Sequence, residues 1–477
     1  MFPDALRASE LPAHAGAWKR SYGAGLARFE ACRVTAPERA EIARFIVERS
    51  QAALLHVKDG AARPLSDHLS EAVEAPALER TALGDKPGLR VEIPFEGVLY
   101  RGREALGLID RLAERGEITM AAQRGLRWIV EHIEAQGGVL DLRDQRFVLL
   151  GAGAELAPTA ALLAAGAQVL WVDVSDHARF LRTRGAHVGA GSLLHAAEPL
   201  NLLDEPARVR AAIERFAADS GGPVHLGAFA YAAGASQEWR LGAAMNAIAA
   251  HLPPSALASL SMFVSPTTVP TLQPECLRAA EAQLQNESMW KATLSRAGIL
   301  TKPGAYVANG AAVGYSTVSI QGLSYQAAQY VSKLCAAEAF ANYGTRLQLK
   351  DARPLTVSAN VAGITRTRSL SHPLFEAAFL GAPRFSVRIF YPETTRALGA
   401  LLMLHDLLNT AAPGHASSPL SAAERTAALQ SQQMHGGIYN LPYGLESAIR
   451  IAAVLGMGMN PSVLLRRGKK PLAEARA

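Results

Sequence analysis

The chain has few cysteines and no long apolar run. Its three cysteines, Cys32, Cys276 and Cys335, are far apart in 477 residues and lack the spacing of metal ligands. They fit a reducing compartment and argue against a disulfide framework. No apolar run reaches the ~20 residues of a membrane-spanning helix. The first residues, with the charged Asp4 and Arg7, do not resemble a secretion signal. We therefore expect a cytoplasmic protein without a membrane span.

Charged residues make up only 19% of the chain, and the net charge is +6. The basic residues are scattered, so the composition does not favour nucleic-acid binding. One basic cluster near the C-terminus is interpreted as a solvated tail; it consists of Arg466, Arg467, Lys469 and Lys470. With 49% hydrophobic residues, the composition is that of an ordinary globular enzyme with a large core.

Several motifs of well-known enzyme classes are also absent. The sequence contains no GxxxxGK[ST] loop and no GxSxG element, which leaves nucleotide hydrolysis and serine-hydrolase chemistry without support. The histidines show neither HExxH nor paired ligand spacing, so no metal site is expected.

The most informative segment, residues 147–173, reads FVLLGAGAELAPTAALLAAGAQVLWVD. It predicts a strand, a glycine turn, a helix starting near residues 155–158, a second strand and a final acid, which is the first unit of a dinucleotide-binding fold. Gly151 and Gly153 allow the tight turn, and the helix N-terminus would face a pyrophosphate. Asp173 would hold a ribose 2′-hydroxyl and repel a 2′-phosphate, which favours NAD over NADP.

Two features of this turn leave another interpretation open. The third glycine of GxGxxG is missing, with Leu156 and Ala157 in its place, and Glu155 puts a negative charge near the expected phosphates. The alternative is a parallel α/β unit that has a glycine turn and binds no nucleotide.

The rest of the chain predicts three regions. Residues 1–145 indicate a mainly helical N-terminal domain, with a short strand pair over 89–100 and a loop-rich surface over 58–87. Residues 146–414 alternate strands and helices, which predicts one doubly wound parallel sheet. Residues 415–477 predict a C-terminal extension whose helix, over 445–457, covers part of the sheet.

Taken in their order along the chain, the segments from about 146 to 370 resemble the short-chain dehydrogenase/reductase superfamily. The segments that carry the resemblance are the glycine turn at 151–157, Ala-Ala-Gly at 232–234, Asn246, Ser265 at a strand end, YQAAQYVSKLCAAE at 325–338 and AGITRT at 362–367. The resemblance implies a Rossmann domain with Gly151, Gly153, Ala157, Asp173, Gly234, Lys333, Thr365 and Thr367 at the cofactor. It implies catalytic roles for Ser265, Tyr325 or Tyr330, and Lys333. Thr365 and Thr367 are equally interpretable as helix caps.

The tyrosine–lysine spacing departs from the family pattern. Gln329 stands four residues before Lys333, where the family has its tyrosine, while Tyr330 stands three and Tyr325 eight residues before. On an α-helix these tyrosines lie about 60° and 80° from the lysine, so geometry excludes neither. Enoyl-thioester reductases of the superfamily place six or eight residues between tyrosine and lysine, and this chain places seven between Tyr325 and Lys333.

These residues predict an NAD(P)-dependent oxidoreductase for a carbonyl or activated alkene, with an acyl thioester as one substrate class. Lys333 would lower the pKa of the catalytic phenol, and Ser265 would hold the substrate oxygen. The long insert between Ser265 and Tyr325 would form an apolar lid. Two other functions stay open: a catalytically degenerate dinucleotide-binding sensor or scaffold, and an isomerase or lyase that uses NAD transiently. The resemblance also implies a homo-oligomer.

Overall fold

Strands and helices alternate through most of the molecule. A computed structural model describes residues 15–462 except 186–189, 235, 346, 348–353 and 371. The strands are β1 Leu55–Lys58, β2 Ala61–Pro64, β3 Leu78–Asp85, β4 Glu92–Phe95, β5 Val98–Arg101, β6 Arg146–Leu150, β7 Gln168–Val172, β8 Ala190–Ala196, β9 Val224–Ala228, β10 Leu257–Val264, β11 Ala305–Ala308, β12 Ala311–Gly314 and β13 Thr356–Val361. The basic cluster at 466–470 lies outside the described residues.

The helices surround these strands. They are α1 Ala15–Val34, α2 Arg39–Ala52, α3 Leu65–Ser70, α4 Glu104–Glu114, α5 Met120–Ala135, α6 Thr159–Ala164, α7 His177–Phe180, α8 Pro206–Asp219, α9 Gln237–His251, α10 Pro274–Gln285, α11 Met289–Arg296, α12 Gly322–Gln329, α13 Ala336–Tyr343, α14 Pro373–Gly381, α15 Pro392–Leu408, α16 Ala422–Ala428 and α17 Leu445–Met459. A π-helical segment, Tyr330–Cys335, joins α12 to α13 without a break.

The central sheet of the described chain has seven strands in the order β13-β10-β9-β6-β7-β8-β3. All neighbours are parallel except β3, which pairs antiparallel with β8. Read from β8 to β13, the six parallel strands have the order 3-2-1-4-5-6 of a Rossmann-like fold. The predicted doubly wound sheet is therefore observed.

The strands of this sheet read as apolar runs because helices cover both faces. In β6 and β7 every residue after the first is buried. A parallel strand buried on both faces needs apolar residues without alternation. This pattern explains why these strands were predictable from sequence.

The N-terminal region adds an edge strand to this sheet. Within 58–87, predicted as loops, β3 pairs with β8 from Leu78 to Asp85. The loop prediction was wrong there, because an edge strand with one solvent-facing side keeps polar residues and turn formers such as Gly84. The strand pair predicted over 89–100 is observed as the β4–β5 hairpin. The domain boundaries at 145 and 414 stay predictions.

The C-terminal helix packs against another helix. Gly381 of α14 meets the backbone of Ala452, and Gly456 of α17 meets the backbone of Ala377 so closely that a Cβ at either glycine would overlap a carbonyl oxygen. α17 therefore pairs with α14, and small residues allow the close approach. The expectation that the helix after 445 covers part of the sheet stays a prediction.

Candidate active site at the carboxyl ends of the sheet

The glycine turn lies at the switch point of the sheet, between β6 and β9. Gly151 has a φ of +88°, and a Cβ there would overlap the backbone of Ala230 just after β9. Its amide donates to the Val172 carbonyl at 2.8 Å. Glycine is required here because the turn is left-handed and two chain segments touch. Ligands of open α/β sheets bind at this kind of crevice.

Asp173 directly follows β7 and holds the glycine turn in place through hydrogen bonds. Its Oδ2 accepts a hydrogen bond from the Gly153 amide at 2.9 Å, and its Oδ1 accepts one from the Ser175 amide at 2.8 Å. An ionised carboxylate accepts up to about four hydrogen bonds, so each oxygen keeps an unused lone pair. The side chain therefore has a structural role and retains capacity for a ribose hydroxyl.

The helix after the turn is shorter and starts later than expected. It begins at Thr159, has six residues, and leaves Pro158 before its first residue. A residue preceding proline is disfavoured in the α conformation, so the buried Ala157 delays the helix start. The Thr159 hydroxyl donates back to the Ala152 carbonyl at 2.6 Å. So short a helix contributes little dipole to an anion site.

Glu155 connects the glycine turn to the loop after β13. Its Oε2 accepts a hydrogen bond from the Arg368 amide at 3.1 Å, and its carbonyl accepts one from Arg396 Nη1 at 2.8 Å. In this structure a carboxylate of the chain itself bonds across the turn at which a pyrophosphate was expected.

The remaining predicted cofactor residues lie around the same edge. Gly234, with a φ of +86°, follows β9, and its amide donates to Glu238 at 3.0 Å. Thr365 is buried, and its hydroxyl bonds the Gly363 carbonyl at 2.8 Å and the Thr395 hydroxyl at 2.7 Å. Thr367 is half-buried, and its amide donates to the Thr365 carbonyl. The Thr365 hydroxyl is thus occupied by protein groups.

Tyr325 and Ser265 meet at the end of β10. The Tyr325 hydroxyl donates to Ser265 Oγ at 2.6 Å, and Ser265 Oγ lies 2.9 Å from the hydroxyl of Thr267. Burial raises the pKa of Tyr325 above its ordinary value, although its hydroxyl neighbours oppose the shift. The expectation that a lysine lowers this pKa is corrected, because desolvation is the largest influence. Tyr325 is therefore a neutral phenol at physiological pH.

Lys333 lies about two helical turns after Tyr325, and its side chain also reaches the end of β10. Its Nζ donates to the Phe263 carbonyl at 2.7 Å, while the Gln329 side chain accepts a hydrogen bond from the Ser265 amide at 2.9 Å. Burial lowers the pKa of Lys333 to about 8. Tyr325, Gln329 and Lys333 thus form one row of side chains facing the end of β10.

The π-helical segment explains how an irregular spacing yields one row. A π turn takes up about one residue more than an α turn. The eight-residue step from Tyr325 to Lys333 therefore resembles a seven-residue step on an α-helix, which returns to within about 20° of the start. Asn246, noted in the sequence, supports this segment: its buried side chain donates to the Ser332 carbonyl at 2.9 Å.

Tyr330 belongs to a different cluster. Its hydroxyl donates to Glu30 at 2.6 Å. Glu30 pairs with Arg33 at 2.7 Å, and Arg33 also pairs with Glu338 at 2.6 Å. Arg39 joins at 2.7 Å from Glu338. Burial and the Glu30 charge raise the pKa of Tyr330 well above its ordinary value. Of the two candidate tyrosines, the structure brings only Tyr325 to Ser265.

An apolar pocket adjoins this row of side chains. Thr267 and Gln321 line the end nearest Ser265, and α14, α17 and the segment between 382 and 441 supply most of the rest. The long insert was expected to form the lid, yet it contributes little beyond Val318 and Gln321. Instead it folds into α10, α11 and the β11–β12 hairpin.

Sequence reasoning missed two polar members of this site. Gln329 was noted only as a departure from the tyrosine position, and Thr267 was not noted. Thr267 could have been identified from its position, because it stands two residues after Ser265 and just after a buried strand. No sequence signal indicated that α14 and α17 would wall the pocket, because they lie in distant segments.

Cys276 and His435 are close together but do not form a competing catalytic pair. Cys276 Sγ lies 3.6 Å from His435 Nε2, but burial raises the pKa of the thiol to about 12 and lowers that of the imidazole to about 3. Both groups are neutral and structural. Within the described ranges, no group of three or more acidic, histidine or cysteine residues is arranged to bind a metal ion.

Comparisons with known proteins do not assign the chain to a family. No protein-family model matches it, and no curated protein matches it. Among the helices that the structure describes, none is both long and apolar enough to cross a membrane.

Proposed function

We propose that this protein is an NAD(H)-dependent oxidoreductase related to the short-chain dehydrogenase/reductases, and that it reduces a carbonyl or activated alkene on an apolar substrate. The observation that carries the proposal is the row of Tyr325, Gln329 and Lys333 at the end of β10, beside an apolar pocket. The π-helical segment supports the resemblance further. By absorbing one residue, it makes seven intervening residues equivalent to six, which is one of the two enoyl-reductase spacings.

Tyr325 is the proton donor in this proposal. Its raised pKa keeps the phenol protonated at neutral pH, which suits donation to an oxygen that gains negative charge. Ser265 would hold the same oxygen, since its hydroxyl already accepts from Tyr325 at 2.6 Å. For a ketone this oxygen becomes an alcohol, and for an enone thioester it is the enolate oxygen. A protonated phenol therefore favours the reductive direction.

The residues at the site fit the two riboses of a dinucleotide better than the pyrophosphate between them. Asp173 keeps lone pairs for a ribose hydroxyl and would repel a 2′-phosphate, so NAD(H) is proposed over NADP(H). Lys333 would meet the nicotinamide ribose. NAD(H) would supply the hydride. At the centre, the Glu155 carboxylate must leave the Arg368 amide before a pyrophosphate reaches the turn.

The substrate is proposed to carry an apolar tail. The pocket beside Thr267 is lined almost entirely by aliphatic and aromatic side chains, as small-molecule sites usually are. A fatty acyl thioester fits this description. The Ser265–Thr267 end would take the reacting carbonyl, and the part of the pocket lined by α14 and α17 would take the chain.

The test is a fluorescence titration of the purified protein with NADH and NADPH, followed by an NADH-oxidation assay with ketones and enoyl thioesters. We expect saturable NADH binding in the micromolar range and weaker NADPH binding. The variant Asp173→Asn should reduce the discrimination between them. Tighter binding of NADPH by the wild type would refute the cofactor choice, and binding of neither would refute the oxidoreductase.

Two observations favour a second candidate, a dinucleotide-fold protein without catalysis. The Glu155 bond across the turn and the six-residue α6 weaken the phosphate site. Such a sensor or scaffold would bind NADH, if at all, without oxidising it when ketones or enoyl thioesters are added. The same titration and assay therefore separate the two candidates.

A further inference from the structure

Three separate segments of the chain carry basic residues and no acidic ones. The sequence has no aspartate or glutamate over 288–337, 377–392 and 447–473, although the whole chain has 42 acidic residues among 477. The first segment includes α11, the second includes the end of α14 and the turn at 382–385, and the third includes most of α17. These parts of the molecule are therefore depleted of negative charge.

The structure brings the three segments together. The ring of Trp290 on α11 meets the ring of Phe385 edge-on, with the two centroids 5.7 Å apart. Lys291 Nζ lies 5.2 Å from the centre of the same Phe385 ring. Phe385 belongs to the turn after α14, and α14 packs on α17 where Gly381 meets the backbone of Ala452. The segments without acidic residues are thus neighbours in space.

Large apolar side chains are exposed on two of these elements. On α11, Met289 is 88% exposed and Trp290 is 38% exposed. On α17, Val454 is 63% exposed and Met459 is 57% exposed. A single exposed apolar residue is ordinary, but a group of them marks an interaction surface, and basic neighbours are typical of one that contacts lipid.

Cations flank these apolar side chains. Lys291 is half-buried beside the Trp290 ring, 5.5 Å from its centre, and Arg384 is exposed next to Phe385. Beyond Met459 the chain continues into the basic cluster at 466–470, which an extended backbone keeps within about 25 Å of the end of α17. Tryptophan and lysine are favoured at the boundary between water and lipid, and clusters of this size attract anionic lipids.

Two acidic residues that border this surface are already neutralised. Glu287, just before α11, pairs with Lys302 at 3.0 Å. Glu446, in the first turn of α17, pairs with Arg450 at 2.6 Å. Neither carboxylate therefore offsets the positive charge of Lys291, Arg384 and the basic cluster, which suits a negatively charged partner.

We infer that α11, the turn at 382–385 and α17 with the basic cluster dock onto an anionic lipid bilayer, with Met289 and Trp290 entering the interface. The aliphatic side chains favour lipid over nucleic acid, which would stack on rings. The inference does not depend on the proposed oxidoreductase function. Phe385, α14 and α17 also line the apolar pocket, so docking brings that pocket to the source of an apolar ligand.

The experiment sediments the full chain with vesicles of phosphatidylcholine, with and without phosphatidylglycerol. We expect binding to the anionic vesicles to be at least about tenfold tighter and to weaken at high salt, because lysine and arginine supply the attraction. Met289→Glu should weaken this binding about tenfold, because an apolar side chain no longer enters the interface. Brominated lipids should quench tryptophan fluorescence in the wild type but not in Trp290→Phe.

A control makes the same kind of substitution elsewhere. Val57 on β1 is 65% exposed and outside the three segments, so Val57→Glu should bind vesicles as the wild type does. Both substituted side chains are exposed, so both variants should fold. Absence of binding to anionic vesicles would overturn the inference, as would equal binding to neutral ones or equal losses in the two variants.

Two further outcomes also count against the inference. Vesicle binding without quenching by brominated lipids would overturn it, because the protein would then adsorb without inserting Trp290. A wild-type dimer that Met289→Glu converts to monomers would overturn it as well, because a second copy of the chain would then cover α11.

Discussion

Two tyrosines five residues apart on one helix have opposite environments. Tyr325 is half-buried among the hydroxyls of Ser265 and Thr267 and adjoins a pocket. Tyr330 is fully enclosed and fixed by the Glu30 carboxylate. Both phenols have raised pKa values, but only the second donates its hydroxyl proton to a carboxylate. The difference teaches how to tell a proton donor from a structural tyrosine. The hydrogen-bond partner of the hydroxyl and its access to a pocket decide this more than the position of the tyrosine in a motif.

The largest expected effect comes from removing each hydroxyl in turn. Tyr325→Phe should lower the rate of NADH-dependent reduction by about 10²- to 10⁴-fold, because a positioned general acid is lost. Tyr330→Phe should keep the rate within a few-fold but lower the free energy of unfolding by about 1.5–3 kcal/mol, because a hydrogen bond to a charged group is lost. Steady-state kinetics and urea unfolding measure the two effects. The comparison fails if the variants exchange these phenotypes.

The second prediction concerns the charges behind Tyr330. Glu338 is fully buried between Arg33 and Arg39, so Glu338→Gln should lower the free energy of unfolding by about 3–5 kcal/mol at pH 7. The control Glu131→Gln removes an exposed partner of Arg127 and should cost less than about 1 kcal/mol. Equal losses in both variants would contradict a special role for the buried cluster.

The same cluster gives a dependence on pH. The two arginines hold the pKa of Glu338 below its ordinary value. A carboxylate with a lowered folded-state pKa contributes stability that is complete above its unfolded pKa, about 4.3, and is lost as the pH falls through the folded value. Wild-type stability should therefore fall below about pH 4 more steeply than that of Glu338→Gln, as measured by urea unfolding between pH 3 and 5.

A smaller change in the free energy of unfolding separates the role of Lys333 in activity from its effect on stability. Burial lowers the pKa of Lys333 to about 8, and its Nζ donates to the Phe263 carbonyl. Since the unfolded chain binds this proton up to about pH 10.4, wild-type stability should rise between pH 8 and 10. Lys333→Met should abolish activity yet stabilise the fold at pH 7 by about 1–2 kcal/mol, and should lack that rise. Destabilisation by this variant at pH 7 would indicate that the lysine is mainly structural.

The smallest effect tests the glycine turn. Glu155, like Glu30, is a carboxylate engaged by the chain itself, but it is only half-buried. Glu155→Gln should strengthen NADH binding about two- to fivefold, because one negative charge near the pyrophosphate is removed. The gain should shrink at 0.5 M salt, where such charges are screened. Unchanged affinity at both salt concentrations would place the pyrophosphate elsewhere.

The sheet was predictable because its strands are locally distinctive. The apolar runs of β6, β7, β9 and β10 follow from burial on both faces, and the glycine turn follows from the φ of Gly151. The edge strand β3 was not predictable, because most of its residues face solvent and its sequence resembles a loop. Its place depends on pairing with β8, more than a hundred residues later.

The candidate site was predictable only in part. Tyr325, Ser265 and Lys333 were named, but their convergence depends on a π-helical segment that has no sequence signature. The choice between Tyr325 and Tyr330 depended on Glu30, which is 300 residues from Tyr330. Hydrogen bonds between distant segments also engage the Thr365 hydroxyl and the Glu155 carboxylate. Local patterns contain no information about such contacts.

The ion pair of Arg33 with Glu338 also has a consequence for biosynthesis. The two residues are 305 positions apart. At ribosomal rates of about 5–20 residues per second, Arg33 emerges roughly 15–60 s before its partner. During that interval the cluster has two arginines, Arg33 and Arg39, and one carboxylate, Glu30, so burying it would leave an excess positive charge, at a cost of several kcal/mol. We therefore expect helix α1 to reach its final packing only after the segment that carries Glu338 has been translated.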